Sequence, residues 1–539
     1  MRSSSPARVL LTATLIAACG GPGEDAATVD DPDEVEESAG PPHAPAAGFI
    51  ALAGVDYELG TGNDALALRS TDTRLFWAYQ PADDEPEDAP LLVLFNGGPG
   101  VSSGMLLGLS TGRASFDPKL TGPDATVVDN PHSWTSLGNL LWIDARQTGF
   151  SHGLLDDAAD MDARAEAMSI ANFNAYRDAA DVVRALLSFL AEHGELQDNE
   201  VVLVGESYGG TRAQIMLDML LHPGSYEDGT RRLRDATLVS AIRAHHEQVH
   251  GVAEDPAIVA AQFGRQVLIQ PLLAGQLQKS ASGELYEAPG SVVEQLADEL
   301  GVDYVRCGEQ ARGECDPFRN AMDFLAEQGR SSQDYRAPST WAHELFTLVR
   351  YRLNDVATTE ALLGVDAATI IGLAADERDG AWRTVDPDTD MSDATLGDWP
   401  EYGGALEPWD RYFIVFNTAA KANYYGDVAE SLDLEPLDPH YGELFLSNLV
   451  WVETLVTNAA YDLATSARGI PPALASYDAI VSDVTAAWNA ELWAIEYRDE
   501  AFGGPGTRYV TVPRYDASHV VTLDASAELR DDIATWMAP

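Results

Sequence analysis

The stretch that most constrains the fold runs from residue 201 to 221, V-V-L-V-G-E-S-Y-G-G-T-R-A-Q-I-M-L-D-M-L-L. Four apolar, mostly β-branched residues open it and predict a buried strand. Gly205-Glu206-Ser207-Tyr208-Gly209 fits G-x-S-x-G, and Gly210 adds another glycine. Ile215, Met216, Met219 and Leu220 then repeat with helical spacing. Strand, sharp turn and helix place Ser207 at the apex. Glycines are needed there because a Cβ would clash where strand and helix backbones converge. Such a turn exposes the seryl hydroxyl with a helix N-terminus behind it, which makes Ser207 a candidate nucleophile. A serine in an inert glycine-rich loop would show the same five residues, so the rest of the chain has to decide.

Around this stretch, apolar strands alternate with helical patterns. Strands are predicted at residues 55–57, 65–69, 73–79, 91–95, 140–144, 266–270, 449–457 and 508–512, and helices at 174–192, 486–497 and 526–537. That alternation predicts an α/β fold, a mainly parallel central sheet with helices on both faces. The rhythm stops between about 281 and 440. Short helical patterns at 291–300, 321–329 and 341–353, with loops dotted by Trp341, Trp382, Trp399 and Trp409, predict an inserted, largely helical cap. The expected plan is a core in two parts, 48–280 and 441–539, on either side of the insertion at 281–440.

The N-terminus has a different character. Arg2 and Arg8 precede a short apolar run that ends at Cys19. The run is too short to span a bilayer and reads as a signal peptide. I-A-A-C resembles the bacterial lipoprotein box, in which the cysteine is lipidated. Residues 1–18 are therefore expected to be a signal peptide and Cys19 a lipid anchor. Residues 19–47, rich in Gly, Pro, Ala and acids, are expected to be a disordered tether. These features predict an exported bacterial lipoprotein that meets a membrane only through its anchor. Cys307 and Cys315 are the other two cysteines of the chain and are expected to pair, given export. With 33 Lys and Arg against 86 Asp and Glu, the formal charge is −53. That excess repels nucleic acid and anionic headgroups and removes both as partners.

A seryl hydroxyl needs a base, and the base needs an orienting acid. Asp462 and His519 each follow a predicted strand, and the order Ser207, Asp462, His519 is that of the α/β-hydrolases. Asp516 is a rival acid but lies too close to His519 in the chain to fit this order. Upstream, Asn96-Gly97-Gly98-Pro99-Gly100 follows a buried strand and can present clustered backbone N–H groups to an oxyanion.

F-N-G-G-P-G-V-S-S, N-P-H-S-W, T-G-F-S and G-E-S-Y-G-G, with the late Asp and His, resemble the serine carboxypeptidase family within the α/β-hydrolases. The likeness is strongest from about 91 to 221. It implies Ser207 as nucleophile, His519 as base and Asp462 as its orienter. It further implies an oxyanion hole from the N–H groups of Gly98 and Tyr208. Asn96, Gly97 and Glu206 would hold a peptide's C-terminal carboxylate, Glu206 by sharing a proton with it. Peptides are the implied substrates, and neither cofactor nor metal is called for. Two positions depart from the family. No acid stands near Leu109-Ser110, where a second carboxylate-binding Glu is expected. D-x-R-x-T-G-x-S, starting at Asp144, instead resembles the prolyl aminopeptidase branch.

Other readings stay open: a prolyl-aminopeptidase-like enzyme, an esterase or acyltransferase on the same triad, or a non-catalytic surface binding protein. His246-Glu247-Gln248-Val249-His250 spells H-E-x-x-H, the spacing of a zinc peptidase, but no third-ligand signature follows. Asp386, Asp388, Asp390 and Asp393 lack the glycine and closing glutamate of a calcium loop and read as a solvated acidic segment.

Overall fold

A computed structural model describes residues 43–60, 65–99, 101–117, 126–146, 148–153, 170–273, 291–309, 317–328, 356–368, 451–459, 494–498, 507–511, 513–517 and 519–538, with positions 287, 289, 315, 370, 444, 448, 449 and 462. The expected signal peptide, Cys19, most of the expected tether, the four cap tryptophans and the 386–393 acidic segment lie outside them.

The core is one twisted sheet. Its strands are β1 (Ala46–Leu52), β2 (Thr73–Gln80), β3 (Leu91–Phe95), β4 (Asn139–Ile143), β5 (Val201–Glu206), β6 (Arg265–Ile269), β7 (Glu453–Val456), β8 (Ala494–Arg498) and β9 (Thr507–Thr511). Their spatial order is β1-β2-β4-β3-β5-β6-β7-β9-β8, and His152–Gly153 adds a short pairing to β2. From β4 to β9 neighbours run parallel; β1 on β2, β2 on β4 and β8 on β9 are antiparallel. Together with the helices this is the α/β-hydrolase fold that the alternation of elements predicts.

Every residue of β3 and β5 is buried, as continuous apolar runs in a parallel interior require. Alternate residues serve opposite faces. Leu91, Val93 and Phe95 pack with α1 (Ala175–Glu192), α2 (Tyr208–Leu221), α3 (Ala236–His250) and α4 (Pro256–Phe263). Leu92 and Leu94 face the other way, toward the C-terminal helices. The described helices of the expected cap are α5 (Val292–Leu300), α6 (Pro317–Glu327) and α7 (Val356–Leu363); α8 (Val521–Asp524) and α9 (Ser526–Met537) close the chain. Cys307 and Cys315 are joined as a disulfide, with Cα atoms 5.4 Å apart.

Three elements differ from expectation. β1 was not anticipated and begins at Ala46, so that its first two residues fall within the expected tether at 19–47. Residues 55–57 and 65–69 do form strands, Asp56–Leu59 and Leu66–Arg69, antiparallel to each other, but Asp56–Leu59 pairs on its other side with Leu233–Arg234 and the three make a separate small sheet. The helix expected at 486–497 is contradicted over its last four residues, which belong to β8 and pair Ala494 with Thr511 and Tyr497 with Arg508. Cross-strand pairing overrides the local helix propensity of that stretch.

Candidate active site

The turn from β5 into α2 has the conformation that its glycines predict. Ser207 sits at φ 58° and ψ −123°, a left-handed conformation that costs a non-glycine residue about 1–3 kcal/mol. It is half-exposed, while its neighbours on both sides are buried. Backbone bonds lock it there: Ser207 N–H donates to Ile269 O at 2.9 Å, and its carbonyl accepts from Gly210 at 2.8 Å and Leu272 at 3.0 Å. A Cβ on Gly205 would lie 2.3 Å from Gly209 O, one on Gly209 2.7 Å from Phe95 O, and one on Gly210 2.4 Å from the Pro271 Cβ. Side chains at these positions are incompatible with the turn.

The asparagine–glycine loop after β3 lies against this turn. A Cβ on Gly97 would come within 2.5 Å of Tyr208 N and 2.8 Å of the Ser207 Cβ. Gly98 takes φ 107°, open to glycine alone. The loop is anchored from two directions. Arg212, on the second turn of α2, donates to Asn96 O at 2.8 Å and pairs with Asp178 of α1, also at 2.8 Å, with both charges buried. Asp144, just past β4, accepts from the Ser103 N–H at 2.8 Å, the Ser103 hydroxyl at 2.6 Å and the Ser102 hydroxyl at 3.0 Å. Burial pushes the Asp144 carboxyl above its ordinary range, and the Ser103 and Ser102 donors pull it back. The D-x-R-x-T-G-x-S motif is thus a staple for the glycine loop: Gly149 is at φ 56°, and a Cβ there would lie 1.9 Å from Asp144 Oδ2.

Asp462 and His519 come together across 57 residues. His519 Nδ1 lies 2.9 Å from Asp462 Oδ2, the aspartate fully buried and the imidazole 20% exposed. Asp462, the acid that fits the chain order, thus meets this nitrogen. With Nδ1–H donating to the carboxylate, the lone pair of neutral His519 is on Nε2, the nitrogen a general base uses. Gln270 holds the acid: its Nε2 donates to Asp462 Oδ2 at 2.6 Å, and its Oε1 accepts from Ala459 N–H at 2.8 Å, which fixes the amide's orientation. Gln270 directly follows Ile269, whose carbonyl holds Ser207. On the other side, Thr522, one turn beyond His519, donates to Glu206 Oε2 at 3.2 Å. The acid and the base are thereby tied to the residues that flank Ser207.

Glu206 is buried, and its Oε1 accepts from Asn96 Nδ2 at 3.0 Å. Asn96 Oδ1 in turn accepts from Leu106 N–H at 3.1 Å. The structure thus places Asn96, Gly97 and Glu206 side by side next to Ser207. The sequence reading passed over Gln270 and Thr522, which carry no motif.

Residues 65–224 match the serine carboxypeptidase family. The chain resembles it over this segment, which holds the glycine loop, the Asp144 staple and the Ser207 turn. Serine carboxypeptidase-like 15 from Arabidopsis thaliana is 30% identical over 156 residues, 29% of this chain and 33% of that relative. The lysosomal protective protein from Mus musculus is 32% identical over 146 residues, 26% of this chain and 27% of the relative. The match thus spans a third or less of the length of these relatives. Among solved structures, a prohormone-processing carboxypeptidase from Saccharomyces cerevisiae aligns over 91% of this chain and 90% of its own, at 15% identity and TM-score 0.40.

The H-E-x-x-H histidines sit at the C-terminal end of α3. His246 is fully buried, its Nδ1 3.2 Å from Ala253 O, and His250 Nε2 lies 3.2 Å from Gln262 Oε1. Among the described residues, no group of three or more His, Cys, Asp or Glu is arranged to hold a metal ion. Nor is any described helix long and apolar enough to cross a membrane.

Proposed function

We propose that this chain is a serine-type carboxypeptidase that releases C-terminal residues from peptides through an acyl-enzyme on Ser207. The observation that carries the reading is the Asp462–His519 pair, tied through Gln270 and Thr522 to both flanks of a strained, half-exposed serine. Ser207 Oγ attacks the scissile carbonyl while His519 Nε2 takes its proton. Asp462 stabilises the imidazolium and holds its orientation. The N–H groups of Gly98 and Tyr208 receive the oxyanion. His519 then protonates the leaving amine, and water, activated by the same imidazole, releases the acid. Asn96, Gly97 and Glu206 receive the substrate's terminal carboxylate. Two adjacent anions repel, so Glu206 receives it with a shared proton. Export and tethering through Cys19 belong to the same proposal and rest on the N-terminal sequence.

The test is a panel of N-blocked and C-blocked peptides with Ser207→Ala as control. The reading expects cleavage of N-blocked peptides with a free C-terminus and loss of turnover in the variant. Cleavage confined to peptides with a free N-terminus would favour the prolyl-aminopeptidase-like reading. Turnover confined to esters would favour an esterase or acyltransferase. Activity that survives Ser207→Ala and is lost to a chelator would favour the metallopeptidase reading.

A further inference from the structure

Glu206 is the residue immediately before Ser207, and two donors from distant parts of the chain meet its two oxygens. Asn96 Nδ2 donates to Oε1, and Thr522 Oγ1 donates to Oε2. The two donors are not equivalent. Asn96 cannot reverse its role, because its own Oδ1 is committed to the Leu106 N–H. Oε1 therefore accepts from Asn96 in either charge state of Glu206, and Oε2 is the oxygen that faces the threonine hydroxyl. A hydroxyl can turn. It donates to Oε2 in a charge-assisted bond when the glutamate is charged, and makes only a weaker neutral bond when it is protonated. Thr522 is 2% exposed, so water does not readily take its place.

We infer that Thr522 is a positioning residue that sets the charge of Glu206, and through it the pH range over which the site accepts a substrate's terminal carboxylate. A donor to the charged form favours that form. With Thr522 donating, Glu206 gives up its proton at lower pH than it would without this partner, and the charged glutamate repels an incoming carboxylate. Thr522 is the second residue of α8, one turn after His519, so the segment that delivers the base delivers this hydroxyl as well. The inference rests on the carboxypeptidase reading and deepens it.

The test compares wild type, Thr522→Val and Thr522→Ser on two substrates across pH. One is an N-blocked dipeptide with a free C-terminus. The other is an N-blocked amino-acid ester, which has no terminal carboxylate. Valine keeps the volume and removes the donor; serine keeps the donor. For the dipeptide, wild-type kcat/KM falls on the alkaline side as Glu206 loses its proton. Thr522→Val moves that fall upward by about one pH unit, roughly tenfold in kcat/KM above the wild-type midpoint, carried by KM. Thr522→Ser keeps the wild-type midpoint, and the ester midpoint is common to all three proteins. If wild type cleaves both substrates and the valine midpoint does not move, or moves equally for the ester, the Thr522 role is overturned and the carboxypeptidase reading survives. If wild type turns over the ester and never the dipeptide, the carboxypeptidase reading fails and the role of Thr522 falls with it. If it turns over neither, the acyl-enzyme chemistry fails as well.

Discussion

At the scale of single residues, the site depends on groups whose neighbours leave them one workable arrangement. Asp462 Oδ2 takes both Gln270 Nε2 and His519 Nδ1, so the imidazole's tautomer follows from the acid's charge. Asp462→Asn presents an amide to that nitrogen and favours the wrong tautomer. The expected result is a fall of about 10³–10⁴-fold in kcat with little change in KM, measured by steady-state kinetics on an N-blocked peptide. Gly149 is as sharply constrained: an alanine there adds a Cβ 1.9 Å from Asp144 Oδ2 at a positive φ. Gly149→Ala is expected to cost about 2–4 kcal/mol, read from the midpoint of denaturant unfolding. The G-x-S-x-G motif singled out Ser207, and position after predicted strands, in the order Ser, Asp, His, singled out Asp462 and His519. Gln270 and Thr522 were not legible, because each acts through one hydrogen bond to a residue 192 or 316 positions away, and no local pattern records such a bond.

At the scale of elements, α1 shows what a hydrophobic stripe leaves out. Its apolar face was legible in Tyr176, Ala179, Val183, Leu186, Leu187 and Leu190. Its charged residues lie off that stripe, yet Arg177, Asp178, Asp181 and Arg184 are buried. Pairing makes that burial tolerable: Arg177 lies 2.8 Å from Asp181 and 2.7 Å from Asp235, and Arg146 2.9 Å from Asp181. The Asp178–Arg212 pair reaches from α1 through α2 to the glycine loop and couples scaffold to site. Arg212→Met leaves Asp178 buried without its cation and is expected to cost about 3–5 kcal/mol, checked by chemical denaturation. Strand β1 escaped sequence reading because A-A-G-F-I-A-L has small residues where a strand signal needs β-branched ones. Strand β8 escaped because its register with β9, not its own composition, decides its conformation.

At the scale of the whole molecule, buried imidazoles contribute acid sensitivity. Burial lowers His246 to about 4, against the pull of its hydrogen bond to the Ala253 carbonyl. Burial lowers His245 and His250 in the same direction. A histidine held neutral in the native state gains a proton on unfolding. For His246, the unfolded chain binds more protons between about pH 4 and its ordinary value of 6.5. Stability therefore rises with pH in that window and is lost as pH falls through it. His246→Phe is expected to flatten the dependence of Tm on pH between 7 and 4.5, measured by calorimetry at several pH values. The parallel centre of the sheet was legible because β3 and β5 are nearly continuous apolar runs and β6 ends in one. The edges, where pairing partners supply the information, were not.

The central claim is that Ser207 is a nucleophile activated by His519. Its most direct measurement is the site and rate of labelling by a serine-directed fluorophosphonate, read by peptide mass spectrometry on wild type and His519→Ala. The account predicts one adduct, on the peptide that contains Ser207, formed at least about a hundredfold more slowly in the variant. An adduct elsewhere, or labelling of Ser207 at the same rate without His519, would contradict it.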